Sequence, residues 1–421
     1  MKSKYFLPQT IGKCLGCGHK LSGAFLDLGE MPPANTYIAP ENKGQKETFY
    51  KLALAYCPKC HLVQTTHRVD PKKLFTTYLY FSSFSDTFLK HAEEMAESLT
   101  KKFALGSNSL VMEIGSNDGY LLKYFKNKGI PILGIEPAKN IAKVANEKGI
   151  PTMDIFFGSS AVNKILREKG HADIIIGNNV LAHVPLINDF LLSVNKCLKP
   201  TGSAIFETPY LKDLLAHTEF DTIYHEHVFY YSLSAIKILI ERTGLELYDA
   251  SWQDIHGGSI RVFLQKEKQY DISNNVKKML LQEEKCGITD ESLYNNFAEK
   301  VEGLKAKLVQ LLKGLKEAGK TIAAYGAAAK GNTLLNYIGI DRNVIDFVVD
   351  RSTYKQGRFL PGSKIPILHQ DELLKRMPDY TIILAWNFAE EIIRQQSRYL
   401  EKGGNFIIPI PELRIMEGSH D

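Results

Sequence analysis

Four side chains that suit acid–base chemistry stand together within the stretch DTIYHEHVFYYSL, residues 221–233: Tyr224, His225, Glu226 and His227. The stretch does not match the metal motif H-E-x-x-H, because Phe229 stands where the second histidine is required. Two histidines alone make a poor metal site, whereas a neutral imidazole beside a carboxylate accepts a proton well near pH 7. The stretch therefore predicts an acid–base site, with a hydrogen-bonded polar loop as the alternative.

A second stretch, LVMEIGSNDGYLL at residues 110–122, has the pattern of a ligand-binding turn between a strand and a helix. Its glycines allow the backbone to approach a ligand closely, and its carboxylates suit ribose hydroxyls or an ammonium group. A dinucleotide fingerprint, G-x-G-x-x-G, requires a glycine two residues after Gly115, where Asn117 stands, so a nicotinamide cofactor is disfavoured. The residues expected to bind the ligand are Glu113, Gly115, Asn117, Asp118 and Gly119. A plain strand-turn-helix without a ligand is the alternative.

Further polar residues follow the next predicted strands, at the edge where open α/β sheets bind their ligands. An acid about 20 residues after the glycines favours contact with ribose hydroxyls. A second acid lies close to two phenylalanines, which are consistent either with contact to an adenine ring or with packing in the core. Two asparagines end the buried-strand pattern ADIIIGNN, and a histidine follows one helical turn later. In chain order these residues are Glu136, Asp154, Asn178, Asn179 and His183.

Four of the six cysteines form two pairs of equal spacing, Cys14-x-x-Cys17 and Cys57-x-x-Cys60. Two such knuckles supply four thiolates that can surround Zn²⁺ tetrahedrally, and the metal adds folding energy to a small core. A closed four-thiolate shell leaves no position for water, so the predicted zinc is structural. Two disulfides are the alternative, which a reducing compartment disfavours.

Other polar positions are candidates for binding a second molecule, the acceptor. A segment rich in aromatic and hydroxyl residues precedes an amphipathic helix from about residue 86 to 102 and suits a lid. The turn HGGSIR adds a histidine and an arginine near the same predicted cleft. A later strand-turn-helix, TIAAYGAAAKGNTLLNYI, places a lysine beside a helix N-terminus, which suits a pyrophosphate. The residues concerned are Tyr78, Ser83, His256, Arg261, Lys330, Asn332, Asp350 and Lys355.

The elements that must hold these residues indicate several domains, because 421 residues exceed one compact domain. Strands and helices alternate from residue 110 to about 266 and again from residue 321, which predicts two α/β units with parallel sheets. A charged, heptad-like region between them predicts connecting helices. We expect a zinc-binding domain at 1–75, a first α/β domain at 76–268, connecting helices at 269–318 and a second α/β domain at 319–421.

The composition is that of an ordinary soluble protein, with 44% hydrophobic and 24% charged residues. No apolar run is long enough to cross a bilayer, and the first ten residues lack the apolar core of a signal peptide. We therefore expect a cytoplasmic protein without membrane contact, and a monomer is favoured. The first 75 residues hold 11 Lys/Arg against 5 Asp/Glu. This basic excess is consistent with binding of nucleic acid or of a pyrophosphate-bearing metabolite, and a basic face exposed to solvent is the alternative.

Taken together, the motifs resemble those of the C-methyltransferases that modify nucleotide-linked deoxysugars. The similarity spans nearly the whole chain and includes the paired CxxC knuckles, YLYFSSFS, MEIGSNDGYLL, GNNVLAHV, IYHEHVFYYSL, HGGSIRVF and YGAAAKGNTLLNY. It implies an α/β fold: a class I S-adenosylmethionine-dependent methyltransferase core, which is Rossmann-like, with a small N-terminal zinc-binding domain and a C-terminal Rossmann-like domain that helps to bind the nucleotide-sugar.

The resemblance also implies the reaction. The substrate is expected to be a TDP-linked 4-keto-6-deoxy sugar, methylated on carbon at C3' or, alternatively, at C5', through an enolate. The base of the family matches His227, assisted by Tyr224, Glu226 and His183, with His225 in the same cluster. S-adenosylmethionine and structural Zn²⁺ are the implied cofactors, and nucleic acid is not an expected partner.

Two other classes of protein remain as alternatives. A zinc-ribbon RNA methyltransferase accounts for the basic first module and the donor turn, but it has no need of a second nucleotide-binding unit. A non-catalytic zinc-bearing scaffold accounts for the modules and leaves residues 224–227 without a purpose.

Overall fold

The computed structural model describes residues 10–75, 82–84, 86–255 and 257–419, apart from the side chains of residues 72, 75 and 84. Tyr78 and His256, two of the predicted acceptor-binding residues, lie outside the described residues. The described strands form three sheets.

The amino-terminal part is a small antiparallel unit followed by helices. Buried and more exposed residues largely alternate in its first strand, Leu26–Met31. Helix Asp86–Lys102 has an acid in its first turn, two lysines in its last, and a buried face of residues three or four apart. The elements are β1 (Leu26–Met31), the 3-10 turn Pro40–Asn42, β2 (Tyr50–Tyr56), β3 (Val63–Thr65), α1 (Pro71–Phe75), the 3-10 turn Ser82–Phe84 and α2 (Asp86–Lys102).

The central part alternates strands and helices. Its elements are β4 (Val111–Ile114), α3 (Leu122–Asn127), β5 (Ile132–Ile135), α4 (Lys139–Glu147), β6 (Thr152–Met153), α5 (Ser159–Lys169), β7 (Ala172–Asn178), the 3-10 turn Leu181–His183, α6 (Ile187–Cys197), β8 (Leu198–Pro209), α7 (Leu211–Ala216), the 3-10 turn Phe220–Thr222, β9 (Phe229–Tyr230), α8 (Leu233–Ile240), β10 (Glu246–Gln253) and β11 (Ser259–Gln265).

The central sheet has the order β10-β11-β8-β7-β4-β5-β6. Strands β4 to β8 run parallel, and β11 runs antiparallel to both of its neighbours. Counted along the chain, β8, β10 and β11 are the fifth, sixth and seventh strands of this sheet. The seventh strand thus lies antiparallel between the fifth and the sixth, the arrangement expected of a class I methyltransferase core. The strand order changes direction between β4 and β7, and ligands of such sheets bind at the carboxyl ends of the strands at this switch point.

Strand β9 does not join the central sheet. It pairs with β3, so the amino-terminal sheet has the order β1-β2-β3-β9. The stretch that contains the predicted acid–base residues is therefore held, at its carboxyl end, by the sheet of the zinc-binding part.

Two helices connect the central part to the last one: α9 (Asn274–Lys285) and α10 (Glu291–Glu317). The buried residues of α10 recur every three or four positions and pack into the core that includes the amino-terminal and carboxyl-terminal sheets: Tyr294, Phe297, Val301, Leu304, Leu308 and Leu312. No helix among the described residues combines the length and the apolar character that crossing a membrane requires.

The carboxyl-terminal part is a second α/β unit. Its elements are β12 (Ile322–Tyr325), α11 (Ala329–Ile338), β13 (Phe347–Asp350), β14 (Ile367–His369), α12 (Glu372–Arg376), β15 (Tyr380–Ile383), the 3-10 turn Trp386–Phe388, α13 (Ala389–Gln395), α14 (Ser397–Glu401), β16 (Asn405–Ile408) and β17 (Arg414–Met416). The sheet order is β14-β13-β12-β15-β16-β17, parallel except at β17. Its switch point lies between β12 and β15, which confirms the predicted Rossmann-like design of this part.

Candidate active site and metal centre

The four paired cysteines come together in one cluster. The Sγ atoms of Cys14, Cys17, Cys57 and Cys60 all lie within 4.8 Å of one another. The Cys14–Cys60 and Cys17–Cys57 sulfur distances are both 3.5 Å, and all four thiols are free rather than in disulfides. Tetrahedral Zn²⁺ with bonds of about 2.3 Å separates its sulfur ligands by about 3.8 Å. The cluster therefore fits a four-thiolate structural zinc site.

The donor turn, residues 113–119, follows β4 at the switch point of the central sheet. Gly115 and Gly119 both have left-handed backbones, with φ of +67° and +79°. A Cβ at Gly115 would lie 2.6 Å from Val180, and a Cβ at Gly119 would lie 2.7 Å from Ile150. Glycine is thus required at both positions, for backbone conformation and for space.

Glu136 closes this turn from the end of β5. Its carboxylate accepts hydrogen bonds from the backbone N–H groups of Asn117, at 3.1 Å, and Ala138, at 2.9 Å. Burial raises the pKa of Glu136 to about 7, although both backbone hydrogen bonds favour the ionised form. The acid predicted to contact ribose thus lies directly against the donor turn.

Several buried polar atoms at this edge of the sheet have no hydrogen-bond partner among the described residues. Buried polar groups are nearly always paired, so an unpaired group of this kind marks a place for a ligand or water. Burial, partly offset by the nearby Tyr120 hydroxyl, raises the pKa of Glu113 well above its usual range. The unpartnered atoms are both carboxylate oxygens of Glu113, Ser116 Oγ, Asp118 Oδ1, Asn178 Oδ1 and Asn179 Oδ1. This set fits the hydroxyl and ammonium groups of S-adenosylmethionine.

The segment before α2 packs directly on the donor turn. The backbone N–H of Ser82 donates to Asn117 Oδ1 at 3.0 Å, and Ser83 Oγ donates to Asp118 Oδ2 at 2.5 Å. The ammonium group of Lys148 contacts the same Asp118 oxygen at 2.8 Å. Ser83, expected from the sequence to contact the acceptor, is therefore placed beside the donor turn, whereas Asp154 is exposed and outside this buried group.

The acid–base loop, residues 221–230, holds His227 in one defined tautomer. His227 Nδ1 lies 3.1 Å from the carbonyl oxygen of Thr222, which can only accept, so Nδ1 carries the proton. Nε2 is then the acceptor and lies 2.8 Å from the Tyr224 hydroxyl, which donates to it. The His227 ring is 4.0 Å from the Tyr224 ring and 4.7 Å from the His183 ring, between centroids. The imidazole is thus buried among polar and aromatic groups with its basic nitrogen defined.

His183 connects this loop to the central sheet. It ends the 3-10 turn after β7, and its Nδ1 donates to the backbone oxygen of Glu226 at 2.8 Å. Burial lowers the pKa of His183 to about 4, so the ring is neutral near pH 7. Val180, which contacts the donor turn at Gly115, belongs to the same short segment. The donor turn and His227 are therefore positioned by one connection at the carboxyl end of β7.

Glu226 and His225 point to different neighbours. Glu226 Oε1 accepts from the side-chain amide of Asn35 at 3.1 Å, and burial raises the pKa of this carboxyl. His225 Nε2 lies 3.1 Å from the backbone oxygen of Tyr50 in β2, and burial lowers its pKa to about 4. His225 therefore contacts the amino-terminal sheet, on a different set of atoms from His227.

The predicted acceptor residues of the carboxyl-terminal part fall into two groups. Lys330 lies at the second switch point, where its ammonium group contacts Asn387 Oδ1 and sits 4.2 Å from the Trp386 ring centroid. Burial lowers the pKa of Lys330, opposed by the negative charges of Asp221 and Glu219. Trp386 Nε1 in turn donates to Asp221 Oδ2 at 2.8 Å. This lysine thus faces the start of the acid–base loop.

The other residues predicted to bind the acceptor substrate form hydrogen bonds or ion pairs with other parts of the protein. Asn332 Nδ2 donates to the Ala34 oxygen, and Lys355 Nζ to the Ala327 oxygen. The two carboxylate oxygens of Asp350 accept from the backbone N–H groups of Ala327 and Ser352. Arg261 forms a buried ion pair with Glu207, at 2.7 Å, in the central sheet.

Several residues of these clusters are not among the site residues predicted from the sequence. Glu207 also binds His91 of α2 at 2.8 Å, and Asp221, Trp386 and Asn35 contact the acid–base loop or belong to it. Asp221 opens the histidine-rich stretch, so its position was a usable signal. The contacts of Asn35 and Trp386 depend on long-range packing that no local pattern encodes.

Comparison with known proteins agrees with this architecture. Family models described as a zinc binding domain, a methyltransferase domain and a C-methyltransferase C-terminal domain match residues 14–75, 88–250 and 254–411. C-methyltransferase NovU from Streptomyces niveus is 36% identical over 409 residues, which cover 97% of each chain.

Two solved structures are similar to part of the chain. Magnesium protoporphyrin IX methyltransferase from Synechocystis, with bound SAM, matches with a TM-score of 0.32 and 13% identity over 42% of this chain and 81% of its own. The CcbJ methyltransferase from Streptomyces caelestis matches with a TM-score of 0.33 and 11% identity over 42% of this chain and 89% of its own. Likenesses this weak add nothing to the assignment, which rests on the family models and NovU. The chain belongs to the C-methyltransferase family and is an S-adenosylmethionine-dependent C-methyltransferase with a zinc-binding amino-terminal domain.

Proposed function

We propose that the enzyme methylates carbon in a TDP-linked 4-keto-6-deoxy sugar, at C3', by removing a proton beside the ketone. C5' of the same class of substrate is the alternative position. The observation that carries the proposal is the defined tautomer of His227, whose acceptor nitrogen lies beside the Tyr224 hydroxyl at the sheet edge that also holds the donor turn.

Carbon becomes a nucleophile only when the C–H bond beside a carbonyl group breaks. In the proposed reaction His227 Nε2 takes this proton, and the electron pair of the bond moves onto the ketone oxygen as an enolate. The Tyr224 hydroxyl, released from His227, donates to that oxygen. Neutral His183 presents an acceptor to a sugar hydroxyl, because its proton is on Nδ1.

We assign to Glu226, whose carboxylate is buried in the same loop, the stabilisation of the positive charge that His227 acquires with the proton. His225 supports the loop through its contact with β2. The cofactor-binding role falls to the donor turn with Glu136, Asn178 and Asn179. S-adenosylmethionine, when bound, supplies the electrophilic methyl group.

The nucleotide end of the substrate is assigned to the carboxyl-terminal domain, residues 319–421. Lys330 at the second switch point offers a cation to the diphosphate, and its neighbours Asp221 and Trp386 connect it to the acid–base loop. In the same proposal residues 1–75 form the zinc-binding domain, 76–268 the methyltransferase domain and 269–318 the connection.

Mass spectrometry tests this function directly. The enzyme is incubated with S-adenosylmethionine and a panel of 4-keto nucleotide-sugars, and the product is analysed for one added methyl group and its position on the ring. We expect the methyl group on carbon beside the ketone, only in substrates that carry the ketone. Methylation of oxygen or nitrogen, or equal turnover of a sugar without the ketone, would overturn the proposal.

A further inference from the structure

The loop between β1 and β2 connects all three domains. The part of this loop that makes the connections, residues 33–38, belongs to the zinc-binding domain. Asn35 Nδ2 donates to Glu226 Oε1 in the acid–base loop at 3.1 Å. On either side of Asn35, the Ala34 oxygen accepts from Asn332 Nδ2 at 2.6 Å, and the Tyr37 hydroxyl donates to the Ala327 oxygen at 2.6 Å. Asn35 is therefore held from both sides by the carboxyl-terminal domain.

Glu226 depends on this loop for its orientation. Its side chain is only 2% exposed, and Oε2 has no hydrogen-bond partner among the described residues. Across the part of the chain that the structure describes, Asn35 is the one side chain that donates to the carboxylate. The backbone N–H groups of Glu226 and Asn35 also stabilise the ionised form of this carboxyl. Because the Asn35 amide supplies the side-chain hydrogen bond, its loss is expected to change the position and the protonation of the buried carboxylate.

We propose that Asn35 is a positioning residue for Glu226, through which the zinc-binding domain completes the acid–base site of the methyltransferase domain. The proposal rests on the role given above to Glu226. In this proposal the amino-terminal domain contributes to the chemistry through a loop between its two cysteine pairs, and not through the metal.

The groups around Glu226 determine the direction of the effect. Burial raises the pKa of this carboxyl, and the Asn35 amide lowers it by stabilising the ionised form. Tyr37 and Tyr230 interact electrostatically with Glu226, Lys355 and Asp350 lie beyond Tyr37, and His183 bonds to the Glu226 backbone. None of these side chains is altered in Asn35→Ala, so the expected change is a further rise in the pKa of Glu226.

The first experiment measures the carboxyl group without relying on turnover. Infrared pH titrations of the wild type and of Glu226→Gln, taken as a difference, isolate the titration of Glu226. The same difference is measured in the Asn35→Ala background. We expect the midpoint to rise by about one pH unit, the size of one hydrogen bond to a charged group. An unchanged midpoint would contradict the proposal.

The second experiment measures catalysis with the keto nucleotide-sugar. Asn35→Ala is expected to lower kcat about tenfold and to shift the acidic limb of the pH profile upward, with KM for S-adenosylmethionine unchanged. Asn35→Asp places a second carboxylate beside Glu226, and the repulsion is expected to shift the acidic limb of the pH profile to still higher pH. The control is Thr36→Val, because Thr36 Oγ1 donates to the Pro33 oxygen within the loop and has no other hydrogen bond among the described residues.

The outcomes separate this inference from the proposed function. If the wild type does not methylate a keto nucleotide-sugar, the proposed function fails, and the infrared titration still decides whether Asn35 controls Glu226. If the wild type is active and Thr36→Val matches Asn35→Ala in both midpoint and kcat, a general loosening of the loop explains the effect and the positioning role of Asn35 is wrong.

Discussion

At the scale of single residues, the site depends on which nitrogen of His227 carries the proton. The Thr222 carbonyl oxygen assigns that proton to Nδ1 and leaves Nε2 to accept from Tyr224. A base within reach of a substrate carbon needs this arrangement, because an imidazole with its proton on Nε2 cannot take another there.

Replacing His227 with Asn is expected to lower kcat by about a hundredfold to ten-thousandfold, the usual contribution of a general base. The affinity for both ligands is expected to stay near normal, since Asn retains a hydrogen-bonding group. Stopped-assay kinetics with calorimetry measure the two quantities. His171→Asn, at an exposed position, is the control, and undiminished turnover in His227→Asn would assign the base elsewhere.

Glu136→Ala is expected to weaken the binding of S-adenosylmethionine at least tenfold, because a carboxylate that bonds ribose hydroxyls contributes about 1.5–3 kcal/mol per hydrogen bond. Its backbone partner Asn117 belongs to the donor turn, so part of the loss comes from the turn itself. Calorimetry provides the affinity, and Glu147→Gln, exposed on α4, provides the comparison. Equal affinity in the two variants would place the ribose away from Glu136.

At the scale of elements, the pairing of β9 with β3 joins the acid–base loop to the zinc-binding sheet. The backbone N–H of Thr65 also donates to the Val228 oxygen, and the Val228 N–H donates to the Ala182 oxygen. The loop is therefore fixed between two domains, and its geometry depends on the integrity of both.

Removing zinc with a chelator is expected to increase amide hydrogen exchange in residues 63–66 and 228–230, because the small thiolate-bound unit loses its folding energy. The donor turn is expected to keep its protection and S-adenosylmethionine its affinity, since both belong to the central sheet. Exchange measured by mass spectrometry tests this. Cys57→Ser is expected to act like the chelator, whereas Cys286→Ser, outside the cluster, serves as control. Full protection of residues 228–230 without metal would contradict this coupling.

The elements also show what the sequence was able to predict. The spacing of Cys14 to Cys60 and the turn at Gly115 to Gly119 encode local geometry, so the cysteine cluster and the strand-turn-helix were predictable from the chain alone. Strand β9 has two residues and no periodic pattern, and its partner is more than 160 positions earlier in the chain. Likewise, the pairing of Arg261 with Glu207 depends on strand register, which single residues do not reveal. The roles of the individual site residues stay predictions.

At the scale of the whole molecule, residues at two switch points contact the acid–base loop. The first, between β4 and β7, holds the donor turn, and the second, between β12 and β15, holds Lys330. The contacts of Lys330 and Trp386 with the region of Asp221 join the second switch point to the loop. This arrangement suits a long substrate whose two ends are bound by different domains.

Lys330→Met is expected to raise KM for the nucleotide-sugar at least tenfold and to leave S-adenosylmethionine affinity unchanged, because the diphosphate loses its cation. The buried acids Asp221 and Glu219 also lose a counter-charge, so unfolding is monitored in parallel. Steady-state kinetics give the KM, with Lys313→Met, exposed on α10, as the matched control. An unchanged KM would remove the carboxyl-terminal domain from diphosphate binding.

Hydrogen exchange into the substrate tests the central claim, proton removal by His227, most directly. The enzyme is mixed with a TDP-4-keto-6-deoxy sugar and S-adenosylhomocysteine in heavy water. Proton NMR follows the signal of the hydrogen on C3', the carbon beside the ketone that is proposed to be methylated. We expect the wild type to replace this hydrogen with deuterium in the absence of methyl transfer and His227→Asn to do so at least a hundredfold more slowly. Exchange at the same rate in both proteins would contradict the claim.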